Sequence, residues 1–182
     1  MNPIDLAHLD LQISSCSLCP LFLERKLAVP GCGPASANIM LIGEAPGREE
    51  DLTGKPFVGR AGRLLDDALK RAGLERSMVF ITSVIKCRPP QNRKPKKKEI
   101  DQCRHFLQYQ IEIIHPKIIC LMGNTAAQAV LGMQGIADLR GRVLQNRYLV
   151  TFHPAAVLRN RNLMDDFVSD LKMLNAGSHL LV

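Results

Sequence analysis

The stretch Ile39-Met-Leu-Ile-Gly-Glu-Ala-Pro-Gly47 decides the fold class of this chain. Its four leading apolar residues predict a short buried strand, and the segment with glycine and proline after them predicts a tight loop. An amphipathic helix follows from about Ala61, and Gly73 stands where a helix C-cap belongs. A strand, a loop and a helix in this order form the first half of a βαβ unit.

The same order of elements repeats along the chain, which predicts a mainly parallel sheet with helices on both faces. We therefore expect a single α/β domain over residues 1–182, built as a three-layer α/β/α sandwich around a four-stranded, mainly parallel central sheet. Further strands are predicted at Met78–Ile85, Ile118–Met122 and Tyr148–Phe152, with a small hairpin arm near Val143–Gln145. Further helices are predicted after Asn2-Pro3, from Ile100 to Ile114, after Gly123 with Asn124 as cap, and over Leu163–Leu174.

The unusual loops of the chain come directly after the predicted strands. Ligands of open parallel sheets bind beyond the carboxyl ends of the strands. We therefore expect one functional site where these loops meet. The loops are Gly43–Gly47, Cys87–Pro90, Gly123-Asn124 and His153–Ala156.

Composition and charge narrow the class of function. A hydrophobic content of 46% excludes a disordered chain, and no apolar run approaches the roughly 18–20 residues that a membrane span needs. No secretory signal is visible, so we expect a cytoplasmic protein. The net charge of +7 is concentrated in Lys86–Lys98, with seven basic residues and no acid, and Arg140–Arg161 adds five arginines. These segments favour a nucleic-acid partner, although a solvated surface loop is the alternative.

Two motif interpretations are weak on their own. Cys16-Ser-Leu-Cys19 is a lone C-x2-C pair among six cysteines, whereas a zinc ribbon usually repeats this knuckle. The loop Gly43–Gly47 has neither the Lys-Ser/Thr of a P-loop nor a dinucleotide fingerprint. Nucleotide hydrolysis is therefore not expected.

Four motifs in order carry a resemblance to a known family: Gly43–Gly47, Gly54–Gly62, Lys86–Arg93 and His153–Leu158. Together they resemble the type-4 uracil-DNA glycosylases, the iron–sulfur branch of the uracil-DNA glycosylase superfamily. The resemblance implies an enzyme of base-excision repair that hydrolyses the N-glycosidic bond of uracil in DNA and leaves an abasic site. It also implies a monomer that acts on single- or double-stranded DNA at the nucleoid, with replication or repair proteins as possible partners.

The resemblance gives the cysteines a role. Family members bind a [4Fe–4S] cluster through four cysteines, which map here onto Cys16, Cys19, Cys87 and Cys103. Such a cluster would tie the N-terminal knuckle to the loop after the second strand, with a structural role. Cys32 and Cys120 have no counterpart in the family.

The resemblance also implies the active-site residues. Phe57 would stack on the extruded uracil, and His153 would donate to the uracil oxyanion as the bond breaks. Ala45 stands where related glycosylases place a water-orienting Asp or Asn. The carboxylates Glu44 and Glu50 line the site with Asn92. The expected DNA contacts are Arg88, Arg93, Lys94, Lys96, the wedge Leu158, and Arg159.

One position departs from the family pattern. Ser83 stands where the family usually has an Asn that reads the uracil edge. An amide offers a fixed donor and acceptor, whereas a hydroxyl rotates and serves either role. Two alternatives therefore stay open: a relative with altered base choice, or a weakly catalytic iron–sulfur module that binds damaged DNA or serves redox regulation.

Overall fold

The computed structural model describes residues 5–179. The helix start predicted at Asn2-Pro3 lies outside these residues. The strands are β1 Ile39–Gly43, β2 Val79–Ser83, β3 Ile118–Met122, β4 Val143–Leu144 and β5 Tyr148–Thr151. The helices are α1 Leu6–Ser15, α2 Arg48–Thr53, α3 Arg60–Arg71, α4 Lys97–Ile114, α5 Asn124–Leu131, α6 Ile136–Leu139, α7 Pro154–Arg159 and α8 Met164–His179. Within residues 5–179, no helix has the length and apolarity needed to cross a bilayer.

The central sheet is mainly parallel, as predicted, with the strand order β2-β1-β3-β5-β4. The predicted count of four strands is wrong, because the arm before β5 is itself a strand. Val143 pairs with Leu149 and Leu144 with Tyr148 in antiparallel register. Two residues are too few to show the alternation by which a strand is detected in sequence.

The sheet is covered on both faces, which confirms the three-layer α/β/α architecture. Because alternate strand residues point to opposite faces, Leu41 packs with α3, α7 and α8, while Met40 and Ile42 face α1, α4 and α5. Every residue of β1, β2 and β3 is buried. Strands buried on both faces explain the uninterrupted apolar runs of the sequence.

Two local boundaries differ from the prediction. The second strand covers Val79–Ser83 and is shorter than the predicted Met78–Ile85, although Val84 N still donates to Gly43 O of β1 at 2.9 Å. Asn124 is the first residue of α5 and not its cap, since Gly123 holds the cap position with φ +95°. The Asn124 side chain instead accepts a hydrogen bond from Gly135 N at 3.1 Å.

Candidate active site

A cleft of about 930 Å³ opens at the carboxyl edge of the sheet. The loops after β1, β2, β3 and β5 all contribute to its walls, as their positions in the sequence predicted. It brings together the predicted site residues of the glycosylase motifs, although the role of each stays a prediction. They are Glu44, Ala45, Glu50, Phe57, Ser83, Asn92, Arg93, Lys94, His153, Leu158 and Arg159.

Phe57 forms one wall of the cleft in an unusual backbone conformation, with φ 51°. A Cβ atom added to Gly43 would lie 2.5 Å from Phe57 Cζ, and one added to Gly62 would lie 1.8 Å from the Phe57 carbonyl oxygen. Both glycines are therefore required by close packing against this phenylalanine. Gly43 belongs to the first motif and Gly62 to the second, so their packing against Phe57 brings the two motifs together. The Phe57 and His153 rings lie 5.8 Å apart, centroid to centroid.

His153 is held as the N-cap of α7. Its Nδ1 accepts a hydrogen bond from Ala155 N at 3.1 Å, so the neutral imidazole carries its proton on Nε2. Burial and the charge of Arg159 lower the pKa of His153 to about 4, which keeps the ring neutral near pH 7. Within the described part of the chain, the buried Nε2 atom has no hydrogen-bond partner. The arrangement leaves one unused donor at the cleft.

The two carboxylates of the cleft have different surroundings. Glu50 is a brace between loops: Oε2 accepts from Gly47 N at 3.1 Å, and Oε1 accepts from Val58 N and Gly59 N at 2.9 Å each. Glu44 accepts a hydrogen bond from the Thr125 hydroxyl. Glu50 therefore shapes the cleft through the backbone, whereas Glu44 is oriented by a neighbouring side chain.

Ser83 ends β2 and is almost fully buried at the cleft wall. Behind it, the ammonium of Lys86 donates to the Ser83 carbonyl at 2.8 Å, to Thr82 Oγ1 at 2.7 Å and to Gln110 Oε1 at 2.7 Å. Burial lowers the pKa of Lys86 to about 8. The prediction that Lys86 contributes to an exposed basic segment is wrong, because the residue is 1% exposed and its charge is not available to a nucleic acid.

The rest of the basic segment divides into paired and unpaired cations. Arg93 forms a two-point ion pair with Glu99, at 2.6 and 2.9 Å, and Lys97 pairs with Asp101 at 2.7 Å. Arg88 Nε donates to Asn92 Oδ1 at 2.8 Å. Within the basic segment Lys86–Lys98, the exposed lysines that form no ion pair are Lys94, Lys96 and Lys98.

The chain segment that follows β2 also contributes to a second cavity, through Ile85, Lys86 and Cys87. Cys16, Cys19, Cys87 and Cys103 all line it, and Arg25 Nη1 donates to Cys87 Sγ at 3.1 Å. Burial raises the pKa of the Cys103 thiol to about 11. Among the residues that the structure describes, no group of three or more His, Cys, Asp or Glu side chains is arranged to hold a metal ion. The donor set nevertheless suits a cluster, because an iron–sulfur cluster spreads its thiolate ligands around a larger core than one ion has.

The other two cysteines lie apart from this cavity. Cys120 is fully buried in β3, where burial raises the pKa of its thiol. Cys32 is an exposed loop residue that bridges to Ile81 through its backbone. Neither residue lines the cysteine cavity.

Comparison with known proteins identifies the family. The family model described as Uracil DNA glycosylase superfamily matches residues 30–172. The type-4 uracil-DNA glycosylase of Pyrobaculum aerophilum is 43% identical to the chain, over 96% of this chain and 95% of that protein. The chain belongs to the type-4 uracil-DNA glycosylases. Two further type-4 relatives agree. The protein of Archaeoglobus fulgidus is 40% identical over 90% of this chain and 88% of that protein. The protein of Thermotoga maritima is 43% identical over 83% of this chain and 82% of that protein. The resemblance found in the sequence is confirmed.

Within this type-4 uracil-DNA glycosylase fold, the structure adds residues that no motif had suggested. Thr125 contacts Glu44, although its place just after β3 was the only signal in the sequence. Gln110 reaches Lys86 from the middle of α4, and Arg76 reaches the backbone around Phe57. Neither Gln110 nor Arg76 lies near a glycine-rich loop or a charge cluster. Tertiary contact alone reveals them.

Proposed function

We propose that this protein hydrolyses the N-glycosidic bond of uracil in DNA and releases the base, leaving an abasic site. The observation that carries the proposal is His153, a neutral imidazole whose buried Nε2–H has no partner among the described residues. Such a donor, placed beside the aromatic ring of Phe57, suits an extruded base that leaves with negative charge. The membership of the chain in the type-4 family supports the same reaction.

In the proposed reaction, the target nucleotide leaves the base stack and its uracil lies against Phe57. As the bond to the sugar breaks, negative charge develops on the base, and His153 Nε2–H donates to it. Because the ring is already neutral and fixed by Ala155 N, no reorganisation is needed when the charge appears. Water then forms a bond to the sugar carbon that the base has left, and the proton it gives up neutralises the released uracil. Because Ala45 offers no group that would activate this water, leaving-group stabilisation and positioning supply most of the rate. We assign to Glu44 the orientation of groups at the reacting sugar.

Base reading falls to Ser83 and Asn92 in this proposal. The Asn92 carbonyl oxygen already accepts from Arg88, so its amide NH2 remains to donate to a base carbonyl. Ser83 supplies a rotatable hydroxyl at the position of the family Asn. A second candidate function is therefore excision of other deaminated bases besides uracil, which the hydroxyl at position 83 favours.

The DNA backbone contacts are proposed for the exposed cations around the cleft. Lys94 and Arg159 line it, and Lys96 lies two residues beyond Lys94. Leu158, half-buried at the end of α7, fits the role of a wedge between bases. Arg88 and Arg93 remain predicted contacts, although each already contacts a neighbouring side chain. We expect one glycosylase domain acting as a monomer at the nucleoid in the cytoplasm.

We further propose that Cys16, Cys19, Cys87 and Cys103 hold a [4Fe–4S] cluster. Bound there, the group supplies a covalent connection between three separate segments of the chain, and no step of base excision depends on it. The thiolates of the segment after β2 and of α4 would keep the basic loop in place beside the cleft. A structural, DNA-presenting role follows from this position.

A uracil-release assay tests the function. Wild-type protein, incubated with an end-labelled oligonucleotide that contains one uracil, is expected to yield alkali-labile abasic sites. His153→Ala should lower the single-turnover rate about 10²–10³-fold, the usual value of one such donor, while DNA affinity stays nearly constant. Absence of uracil release by the cluster-loaded wild type would refute the proposed function. Equal rates for wild type and His153→Ala would refute the role of His153.

A further inference from the structure

Arg76 lies outside every motif of the cleft, in a single 3-10 turn, Arg76–Met78, before β2. Its guanidinium donates to the carbonyl oxygens on both sides of the Phe57 Cα atom. Nη2 reaches Pro56 O at 2.6 Å, and Nη1 reaches Phe57 O at 3.1 Å. Asp66, on α3, accepts from Nη1 at 2.6 Å and orients the guanidinium. The planar fork of an arginine suits such a set of acceptors, whereas an ammonium is a point donor.

The segment that Arg76 holds is strained. Phe57 has φ 51°, a conformation that a bulky residue adopts only when its surroundings enforce it. The amides that follow, Val58 N and Gly59 N, both donate to Glu50 Oε1 at 2.9 Å. A cation therefore holds the carbonyls at Phe57, and an anion holds the next two amides. The two charged side chains therefore constrain adjoining peptide groups of one short turn.

The Phe57 ring has little freedom to move within this turn. It packs directly on the backbone of Gly43, and its carbonyl packs against Gly62 of α3. The residue is 7% exposed, and it still forms part of the cleft wall. Small movements of the Phe57 backbone would therefore tilt the ring toward or away from the space beside His153.

We propose that Arg76, oriented by Asp66, is a positioning residue that holds the Phe57 ring as the stacking platform for the extruded base. The inference rests on the proposed function, since a platform requires a base to stack on it. Arg76 itself acts only through the Phe57 backbone. Its loss should therefore affect excision only while the aromatic ring is present.

A double-mutant cycle tests this dependence. Arg76→Met should lower the single-turnover excision rate about 10- to 100-fold, the effect of a misplaced positioning group, with DNA affinity nearly unchanged. In a Phe57→Ala background, the same substitution should change the rate by less than about two-fold, within ordinary additivity. Equal losses in both backgrounds would overturn the proposal. Arg76→Lys, which keeps the charge, should give an intermediate loss and serves if Arg76→Met fails to fold.

Arg71 offers a matched control. It lies on α3 and forms an exposed ion pair with Asp165 at 3.0 Å, and within the described residues it makes no hydrogen bond to the Phe57 turn. Arg71→Met removes an arginine that pairs with an aspartate, as Arg76 does, and it should leave the excision rate unchanged.

Hydrogen exchange gives a reading that does not depend on catalysis. The amides of Val58 and Gly59 should exchange faster in Arg76→Met than in wild type, and Arg71→Met should not alter them. Unchanged exchange in both Arg76 variants would refute the proposal that Arg76 holds the Phe57 turn. Wild-type protein that releases no uracil would instead refute the proposed function, and the exchange result would still decide whether Arg76 holds the turn.

Discussion

The cleft and the cysteine cavity share the segment after β2 in their walls, yet the chain stabilises them differently. In the cleft, backbone amides and carbonyls hold each constrained group: Ala155 N holds His153, while Glu50 and Arg76 hold the Phe57 turn. In the cavity, four cysteines surround a space, and the described residues contain no hydrogen bond between any two of their thiols. Directional bonds therefore hold the groups of the first site, whereas in the second the cysteines are not bonded to one another.

Ser83 and Cys87 show how closely the two sites are connected. They are four residues apart, and the buried Lys86 between them binds the Ser83 carbonyl, Thr82 and Gln110. The bond of Gln110 Nε2 to Pro30 O at 2.8 Å extends this network to the loop before β1. The difference teaches that hydrogen bonds of the polypeptide preorganise the cleft, while in our proposal the four cysteines of the cavity are held together by the cluster they bind.

The largest expected effect concerns the cysteine cavity and the cluster proposed there. Cys87→Ala should abolish the brown colour of the purified protein and cost about 2–5 kcal/mol of stability, by analogy with a lost cross-link. Iron content, visible absorbance and thermal unfolding measure it. Cys32→Ser, which removes an exposed thiol outside the cavity, should retain both colour and stability. A colourless wild type that binds one zinc would contradict the cluster.

A second effect concerns the cleft side and its pH dependence. His153 has a pKa near 4 in the folded chain and about 6.5 when unfolded, so the unfolded chain binds the extra proton between these values. The stability that neutral His153 contributes is present above about pH 6.5. It should be lost as the pH falls toward 4, by up to about 3 kcal/mol.

His153→Asn isolates this effect in urea unfolding curves across that range. Asparagine keeps an acceptor for the Ala155 amide but does not titrate. The stability of the variant should therefore fall less steeply than that of wild type below about pH 6.5. Parallel curves would show that His153 is not buried neutral in the folded protein.

A third, smaller effect sharpens the account of base reading. Ser83→Asn should raise the rate of uracil excision relative to that of other bases. The change in discrimination free energy should reach about 1–3 kcal/mol, the scale of one good edge contact. Single-turnover rates on uracil, hypoxanthine, xanthine and thymine mismatches measure the ranking. An unchanged ranking would mean that Ser83 does not read the base. Because Ser83 faces the cleft and not the cavity, the visible absorbance should stay as in wild type.

The smallest effect separates the exposed lysines from the paired ones. Lys94→Ala should flatten the log–log salt dependence of DNA binding by about one unit, as expected for one lost phosphate contact. Lys97→Ala is the matched control, since Lys97 pairs with Asp101, and it should change the slope less. Fluorescence anisotropy over a salt series measures both. Equal slopes for Lys94→Ala and wild type would mean that Lys94 is a solvated surface residue and does not contact a phosphate.

Much of the architecture could be predicted from sequence because it depends on local patterns. The apolar runs at Ile39 and Ile118 are strands, and His115 ends α4 with φ 49°, just before Pro116. The motif loops converge because parallel strands bring their carboxyl ends to one edge. The strand at Val143–Leu144 was missed as part of the sheet, since its pairing with β5 depends on tertiary contact.

By itself, the sequence determined the order of strands and helices, the family, and which residue types reach the cleft. Only the tertiary structure decided what each charge does. Lys86 belongs to a basic run in sequence, but it lies inside the protein because Thr82, Ser83 and Gln110 satisfy its ammonium. Arg76 belongs to no motif, yet it holds the turn at Phe57. Both outcomes have one physical reason: a hydrogen bond depends on distance and direction in three dimensions, and spacing along the chain encodes these only within a single helix, strand or turn.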